Sequence, residues 1–283
     1  MLQQDIFLII LAFIWIIIAV IQDLRKKEVA NWWNFSLIAI ALAYRAFTSL
    51  YLNDYNYLIW GVLGFITFVI LAYGFYYARL FAGGDAKLLM GLGAVLPFSN
   101  TLLENLEIFT HFIILFLVCG SAYGLLYSLI LAIKNNKKFT KEFKKQLKNN
   151  KKLTQTFFAI AIIITAIIII FKEPILTFLP LMIFLFPFLL AYAKAIEESC
   201  LIIEKRSKDL VLGDWLYKGV RVGNTMVKPN WEGLDEKELK TLQKHNKNVL
   251  VKEGIPFTPA FLFAFTILTY MIKEGITLLQ KLI

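Results

Sequence analysis

Long stretches of apolar residues without a charged side chain recur along the chain. A helix needs roughly 20 apolar residues to cross a hydrocarbon core. Seven stretches reach or approach this length: 6–22, 55–78, 88–103, 108–133, 153–171, 174–193 and 254–272. A weaker eighth stretch, 32–50, begins with two tryptophans, which are typical of the membrane interface. The pattern predicts an all-α polytopic membrane protein with about eight transmembrane helices, of which the second and the fourth are the weakest.

One sizeable polar segment, 197–253, interrupts this pattern. Within it, 220–227 has the pattern of two short strands joined by a Gly-Asn turn, and 234–244 has the pattern of a short amphipathic helix. We expect a small α+β insertion that either caps the bundle or docks a substrate. The chain then divides into five transmembrane helices (1–133), a basic cytoplasmic loop (134–153), a transmembrane hairpin (154–196), the soluble insertion (197–253) and a last helix (254–283).

Basic residues next to the apolar stretches predict the orientation, because lysine and arginine are concentrated in cytoplasmic loops. Arg25, Lys26 and Lys27 follow the first helix, and a lysine-rich segment follows the fifth. Both markers place these helix ends in the cytoplasm and both termini outside. The hairpin break at 172–174 is then outside, and Arg45 lies near the outer end of the second helix, where it could extend to water. A multi-pass protein of the cell membrane is expected.

Composition and charge agree with a membrane protein and exclude a nucleic-acid partner. Hydrophobic residues make up 59% of the chain and charged residues only 18%. The net charge of +10 is concentrated between 134 and 153, where nine lysines and one glutamate give +8. Such a loop would also attract anionic lipid of the bilayer. Two cysteines and two histidines show no metal-ligand spacing, so no metal is expected.

Two aspartates carry the most informative charges. Asp23 ends the first helix and Asp85 begins the fourth, so the topology places both at the cytoplasmic boundary. Facing carboxylates can share one proton, so that the ionised one activates water and the protonated one polarises a peptide carbonyl, as in aspartic proteases. Alternatively, both are solvated interfacial residues paired with nearby basic residues such as Lys87.

The residues before Asp85 favour a functional role for it. Gly83 and Gly84 precede Asp85 at the expected start of a helix. Glycine permits close approach of another backbone, and a helix N-terminus favours a carboxylate. The two glycines could therefore place an extended peptide against Asp85.

Three segments resemble motifs of one family. The segment 82–87 is similar to the Gly-x-Gly-Asp-x-Lys motif of the type IV prepilin and archaeal preflagellin peptidases, which are membrane aspartyl proteases of the GxGD class. The segment 23–32 resembles their first-aspartate motif, Asp-x5-Ile-Pro-Asn, and 253–259 resembles their Ile-Pro-Phe-Gly-Pro stretch. The chain departs from these motifs where Ala82 replaces the first glycine, Ala30 replaces a proline and Thr258 replaces a glycine.

The resemblance implies an enzyme in which Asp23 and Asp85 are the catalytic pair. It also implies that Gly83, Gly84 and Lys87 shape the second aspartate's site, and that two prolines fix the entry of the last helix, namely Pro256 and Pro259. The substrate would be a pilin-like or archaellin-like precursor, cut at the cytoplasmic boundary before its hydrophobic segment. No metal or organic cofactor is needed, and the lack of a cysteine-rich methyltransferase domain implies an archaeal-like, peptidase-only member.

Two other functions are compatible with parts of the pattern. A transporter could use Asp23 and Asp85 to relay protons or cations, although transporters place such groups near the bilayer midplane and the sequence shows no convincing repeat. A non-catalytic scaffold could bind a partner through the soluble segment. The sequence leaves open which precursor is cut and which oligomeric state the protein adopts.

Overall fold

The computed structural model describes residues 5–171, 176–223, 225–244 and 248–276, and most of them are helical. Six helices are long and apolar enough to cross a membrane. These are α1 (Asp5–Lys26), α2 (Asn31–Leu52), α3 (Asn56–Tyr77), α5 (Leu102–Lys134), α7 (Lys151–Phe171) and α8 (Phe178–Ile196), which a π-helical turn extends to Leu201. The chain is therefore a polytopic helical membrane protein, as its sequence predicts.

Two of the eight expected spans are helices that are too short to cross a bilayer alone. The fourth expected span forms α4 (Gly83–Val95, 13 residues), and the eighth forms α10 (Pro259–Lys273, 15 residues). At about 1.5 Å per residue they extend about 20 and 22 Å, whereas the hydrocarbon core is about 30 Å thick. In the described part of the chain, six helices rather than eight thus have the length and composition of a span.

The chain forms two compact units, 1–126 with 255–283, and 127–254. The first contains α1–α4, most of α5, and α10. Its central element is α4, because nine of the 13 residues of this helix are buried. Leu88, Leu89 and Leu92 pack with aromatic side chains of the neighbouring helices in one hydrophobic core. The short fourth helix is thus an interior element of this unit.

Close backbone packing holds α3 against α4. A Cβ atom added to Gly64 on α3 would overlap the carbonyl of Gly93 on α4, and one added to Gly93 would overlap Phe68. Small residues that allow backbones to approach are characteristic of helix interfaces in membrane proteins. The two glycines therefore set the distance between α3 and the helix that carries Asp85.

Replacing Gly64 by alanine is expected to lower the free energy of unfolding by roughly 1–3 kcal/mol, because the added methyl group meets backbone that cannot move aside. Gly74→Ala on the same helix is the matched control, since no described atom lies within 4 Å of the added Cβ. Thermal unfolding in detergent measures both. Equal melting temperatures for the two variants would show that the α3–α4 contact is looser than described.

Arg45 is fully buried, which corrects the expectation that it extends to water. Its Nε donates to the carbonyl of Ala94, and Nη2 donates to the carbonyls of Val95 and Pro97. Its Nη1 donates to the carbonyl of Tyr57. The last carbonyls of a helix have no partner within the helix, so α4 can end inside the protein because the Arg45 guanidinium binds there.

The second unit contains a helix where a basic loop was expected. Residues Asn136–Asn149 form α6, with every lysine of the helix exposed. Phe139 and Phe143 recur at helical spacing and are half-buried, and the Phe139 ring lies 5.6 Å from that of Tyr192 on α8. The apolar face of α6 packs against α8, and this tertiary contact stabilises a helix in a lysine-rich segment.

Two packed helices and a small strand-containing segment follow α6 in this unit. Helices α7 and α8 pack together, with the Phe157 and Phe186 rings 5.1 Å apart; the expected break at 172–174 lies outside the described residues. In the insertion, β1 (Ile202–Arg206), β5 (Asn248–Lys252) and β2 (Trp215–Leu216) form an antiparallel sheet in that order. The predicted hairpin is β3 (Val220–Val222) and β4 (Thr225–Val227), and the predicted helix is α9 (Glu236–Gln243).

Candidate active site

Asp85 lies in the first turn of α4, which begins at Gly83. Ala82, which precedes Gly83, has an extended backbone conformation, and its carbonyl accepts a hydrogen bond from the N–H of Ala86. The Asp85 side chain is buried, with 9% of its residue surface exposed. A Cβ atom on Gly83 would meet no described atom within 4 Å, so open space adjoins the residue two positions before Asp85.

Asp23 lies in the last turns of α1 and is only 7% exposed. The helix ends shortly after it, where Lys27 takes a positive φ of 56° and donates its N–H to the carbonyl of Asp23. Two hydrogen bonds reach the Asp23 carboxylate from Thr258, which directly precedes α10. The Thr258 backbone N–H and Oγ1 both donate to Oδ2, at 3.0 and 2.9 Å.

The structure brings the two aspartates together, although 62 positions separate them in the sequence. Helices α1 and α4 are in contact, and the Asp23 carboxylate is close enough to act electrostatically on Asp85. Their low exposure does not agree with two solvated interfacial residues. Two buried acidic groups on neighbouring helices, close enough to act on each other electrostatically, suit the proton sharing that aspartic proteases use.

The first turn of α2 holds the start of α4. The Asn34 Nδ2 donates to the carbonyl of Gly84 at 3.2 Å, and Lys87 Nζ donates to Asn31 Oδ1 at 2.6 Å. A Cβ atom added to Gly84 would meet Val29 only at ordinary contact distance, so Val29 lies beside this glycine. Gly84 and Lys87 thus connect the α1–α2 junction to the helix that carries Asp85.

The two prolines of the predicted site flank Thr258, the residue that binds Asp23. Pro259 is buried at the beginning of α10, where proline suits the first helical turn. Pro256 is buried two residues before Thr258. The Phe257 ring between them lies 5.6 Å from that of Phe116 on α5. These contacts fix the segment that delivers Thr258 to Asp23.

Sequence reasoning missed two polar residues of this region. Thr258 was noted only as a departure from the resembled motif, and Asn34 was not considered. Asn34 is fully buried, and its Oδ1 has no hydrogen-bond partner among the described residues. An amide in a charge-free helical stretch gives a weak signal, whereas the Thr258 contact joins residues 235 positions apart and has no local signature.

Comparison with known proteins agrees with this geometry. The sequence model of the type IV leader peptidase family matches residues 10–131, a range that includes both aspartates. Over this range the chain is similar to the type IV leader peptidase family. The match covers the two aspartate motifs and ends before the proline-containing segment at 253–259.

The curated proteins that the chain resembles include archaeal preflagellin peptidases. The chain is 35% identical over 91 residues to the preflagellin peptidase of Methanocaldococcus jannaschii, which is 32% of this chain and 38% of the relative. It is 35% identical over 82 residues to that of Methanococcus maripaludis, and 30% identical over 82 residues to that of Methanococcus voltae. These two matches each cover 29% of this chain and 35% of the relative. The chain thus spans well under half the length of the curated relatives that it matches.

Proposed function

We propose that the protein is a membrane aspartyl endopeptidase that uses Asp23 and Asp85 to cut the signal segment from pilin-like or archaellin-like precursors. The observation that carries this proposal is the burial of two aspartates on the adjacent helices α1 and α4, close enough to act on each other electrostatically. The family match over 10–131 and the similarity to preflagellin peptidases support the reaction type and the substrate class.

The chemistry follows from two carboxyl groups that hold one proton between them. The ionised carboxylate takes a proton from water, and the resulting hydroxide attacks the peptide carbonyl carbon. The protonated carboxyl donates its proton to the carbonyl oxygen, giving a neutral tetrahedral intermediate. When the carbon–nitrogen bond breaks, the carboxyl that took the water proton gives it to the departing nitrogen, and the other carboxylate takes a hydroxyl proton from the intermediate as the new carboxyl group forms. The dyad thus returns to its starting state without a metal or organic cofactor.

The glycines before Asp85 leave room for a substrate peptide next to this aspartate. The open space beside Gly83 is suited to an extended substrate backbone, while the carbonyl of Gly84 accepts a hydrogen bond from Asn34. Pro256 and Pro259 fix the segment on the Asp23 side. We assign these residues and Lys87 to shaping the site, and only Asp23 and Asp85 to the reaction itself.

The basic residues support a site at the cytoplasmic face of the cell membrane. Arg25, Lys26 and Lys27 follow Asp23 within four positions and are exposed. By the positive-inside rule this end of α1 faces the cytoplasm. A substrate helix could then reach the dyad laterally in the bilayer, with the bond just before its hydrophobic segment beside Asp85.

A cleavage assay tests the proposal. The purified full chain in detergent is mixed with an archaellin-like precursor, and the products are identified by mass spectrometry alongside the double variant Asp23→Asn/Asp85→Asn. We expect one cut just before the precursor's hydrophobic segment, and none with the double variant. Cleavage by the double variant would overturn the assignment, and aspartate-dependent ion flux in liposomes without proteolysis would indicate a transporter.

A further inference from the structure

Thr258 provides two hydrogen bonds to one oxygen of Asp23. Thr258 is fully buried, and its backbone N–H and its hydroxyl lie 3.0 and 2.9 Å from Asp23 Oδ2. It directly precedes Pro259, the first residue of α10, so the rigid start of a helix fixes its position. The contact therefore comes from an element that is distant in sequence and held in place by its own packing.

The hydroxyl is a donor that a glycine at this position would lack. The motif that 253–259 resembles has glycine where this chain has Thr258, and a glycine would offer only its backbone N–H. A threonine hydroxyl has a single hydrogen to donate, and here it lies against a carboxylate oxygen. Hydrogen bonds to an ionised acceptor are roughly twice as strong as neutral ones.

Two donors on Oδ2 give the two Asp23 oxygens different roles. Oδ2 is engaged by Thr258, so Oδ1 is the oxygen left to take a proton from water or to share one with Asp85. A carboxylate that can rotate would present this oxygen only part of the time. Precise placement of a reacting group contributes strongly to rate, so fixing the orientation of Asp23 affects the reaction without any contact with substrate.

We propose that Thr258 is a positioning residue for the peptidase reaction, and that its hydroxyl holds the Asp23 carboxylate with Oδ1 directed to the reaction. This inference rests on the proposed function.

The test compares substitutions that separate the hydroxyl from the shape of the side chain. Thr258→Val keeps the shape and removes the donor, whereas Thr258→Ser keeps the donor and removes a methyl group. We expect Thr258→Val to lower kcat roughly ten- to a hundredfold with KM nearly unchanged, as loss of a hydrogen bond to a charged group predicts. Thr258→Ser should stay within about threefold of the parent protein.

The matched control is Thr269→Val on α10, where the removed hydroxyl donates to the carbonyls of Phe265 and Thr266 on its own helix. Its kcat should remain that of the parent protein. If Thr258→Val does not fold, as judged by thermal unfolding, Thr258→Gly takes its place with the same expected loss, since glycine retains the N–H donor.

Parental kcat in Thr258→Val would overturn the inference, and so would equal losses in the valine and serine variants, which would indicate packing alone. Failure of the inference is distinguishable from failure of the proposed function. If the parent protein cuts the precursor and Asp23→Asn does not, while Thr258→Val cuts normally, only the role of Thr258 is wrong.

Discussion

Replacing either Asp23 or Asp85 alone by asparagine is expected to reduce precursor cleavage on the order of 1,000-fold or more, as much as replacing both. Residues that act as a unit in catalysis show such strongly non-additive losses. Asparagine keeps the size and polarity of the side chain but can neither take a proton from water nor donate one as an acid. Because each carboxyl group depends on the other to share the proton, the second substitution finds little activity left to remove.

The measurement is the initial rate of cleavage by the purified single variants and the double variant, each checked for folding by thermal unfolding. Asp5→Asn on α1 is the matched control, because Asp5 is also a buried aspartate, hydrogen-bonded to Tyr57. It should retain cleavage within several-fold of the parent protein even if its melting temperature falls. A single variant that keeps a tenth or more of the activity would contradict a reaction shared by two carboxyl groups.

The helices were predictable because a transmembrane helix is encoded locally. An apolar stretch of sufficient length without charges must satisfy its own backbone hydrogen bonds in lipid, and a helix does this within the segment. The strand pair of β3 and β4 and the capped helix α9 are also short-range features. Asp235 and Glu238 form the capping box that begins α9, a signal readable from their spacing of three.

The length and surroundings of the helices were less predictable, since these depend on tertiary contacts. The fourth helix was expected to be a short span, but α4 has 13 residues, of which nine are buried. The segment 134–153 was expected as a loop, but α6 forms there, with the Phe139 ring against Tyr192 of α8. For both segments, the amino-acid composition predicts the general character, whereas contacts with neighbouring helices determine the structure that forms.

The candidate active site also has features that could be predicted from the sequence and features that could not. The predicted topology puts Asp23 and Asp85 at one membrane face, and the resembled motifs single them out. Their juxtaposition depends on the packing of α1 against α4, and the Thr258 contact depends on α10, so neither has a local pattern. Asn34 and Thr258 are uncharged, and an uncharged polar residue in an apolar chain becomes informative only when its partners are known.

Replacing Arg45 by methionine is expected to lower the free energy of unfolding by roughly 3–5 kcal/mol, because several buried carbonyls lose their donor and each unsatisfied buried polar group costs about 1–3 kcal/mol. Methionine has similar length but no donors, so the carbonyls of Ala94, Val95, Pro97 and Tyr57 would lose the guanidinium. Buried backbone groups without partners are especially costly where water cannot replace the lost donor. The Tyr57 ring, 4.4 Å from the guanidinium carbon, would lose its cation contact as well.

Arg45→Lys should recover only part of this loss, since a lysine ammonium is a point charge that cannot reproduce the planar fork of donors. Arg25→Gln, at an exposed arginine on α1, is the control and should change the melting temperature little. Thermal unfolding in detergent measures all three variants. If Arg45→Met unfolds at the parental temperature, water or another side chain must satisfy the end of α4. If Arg45→Met instead unfolds at a much lower temperature, the Arg45 guanidinium is what stabilises the end of α4. A single buried arginine then allows the helix that carries Asp85 to be short, because its donors bind the carbonyls where that helix ends inside the protein.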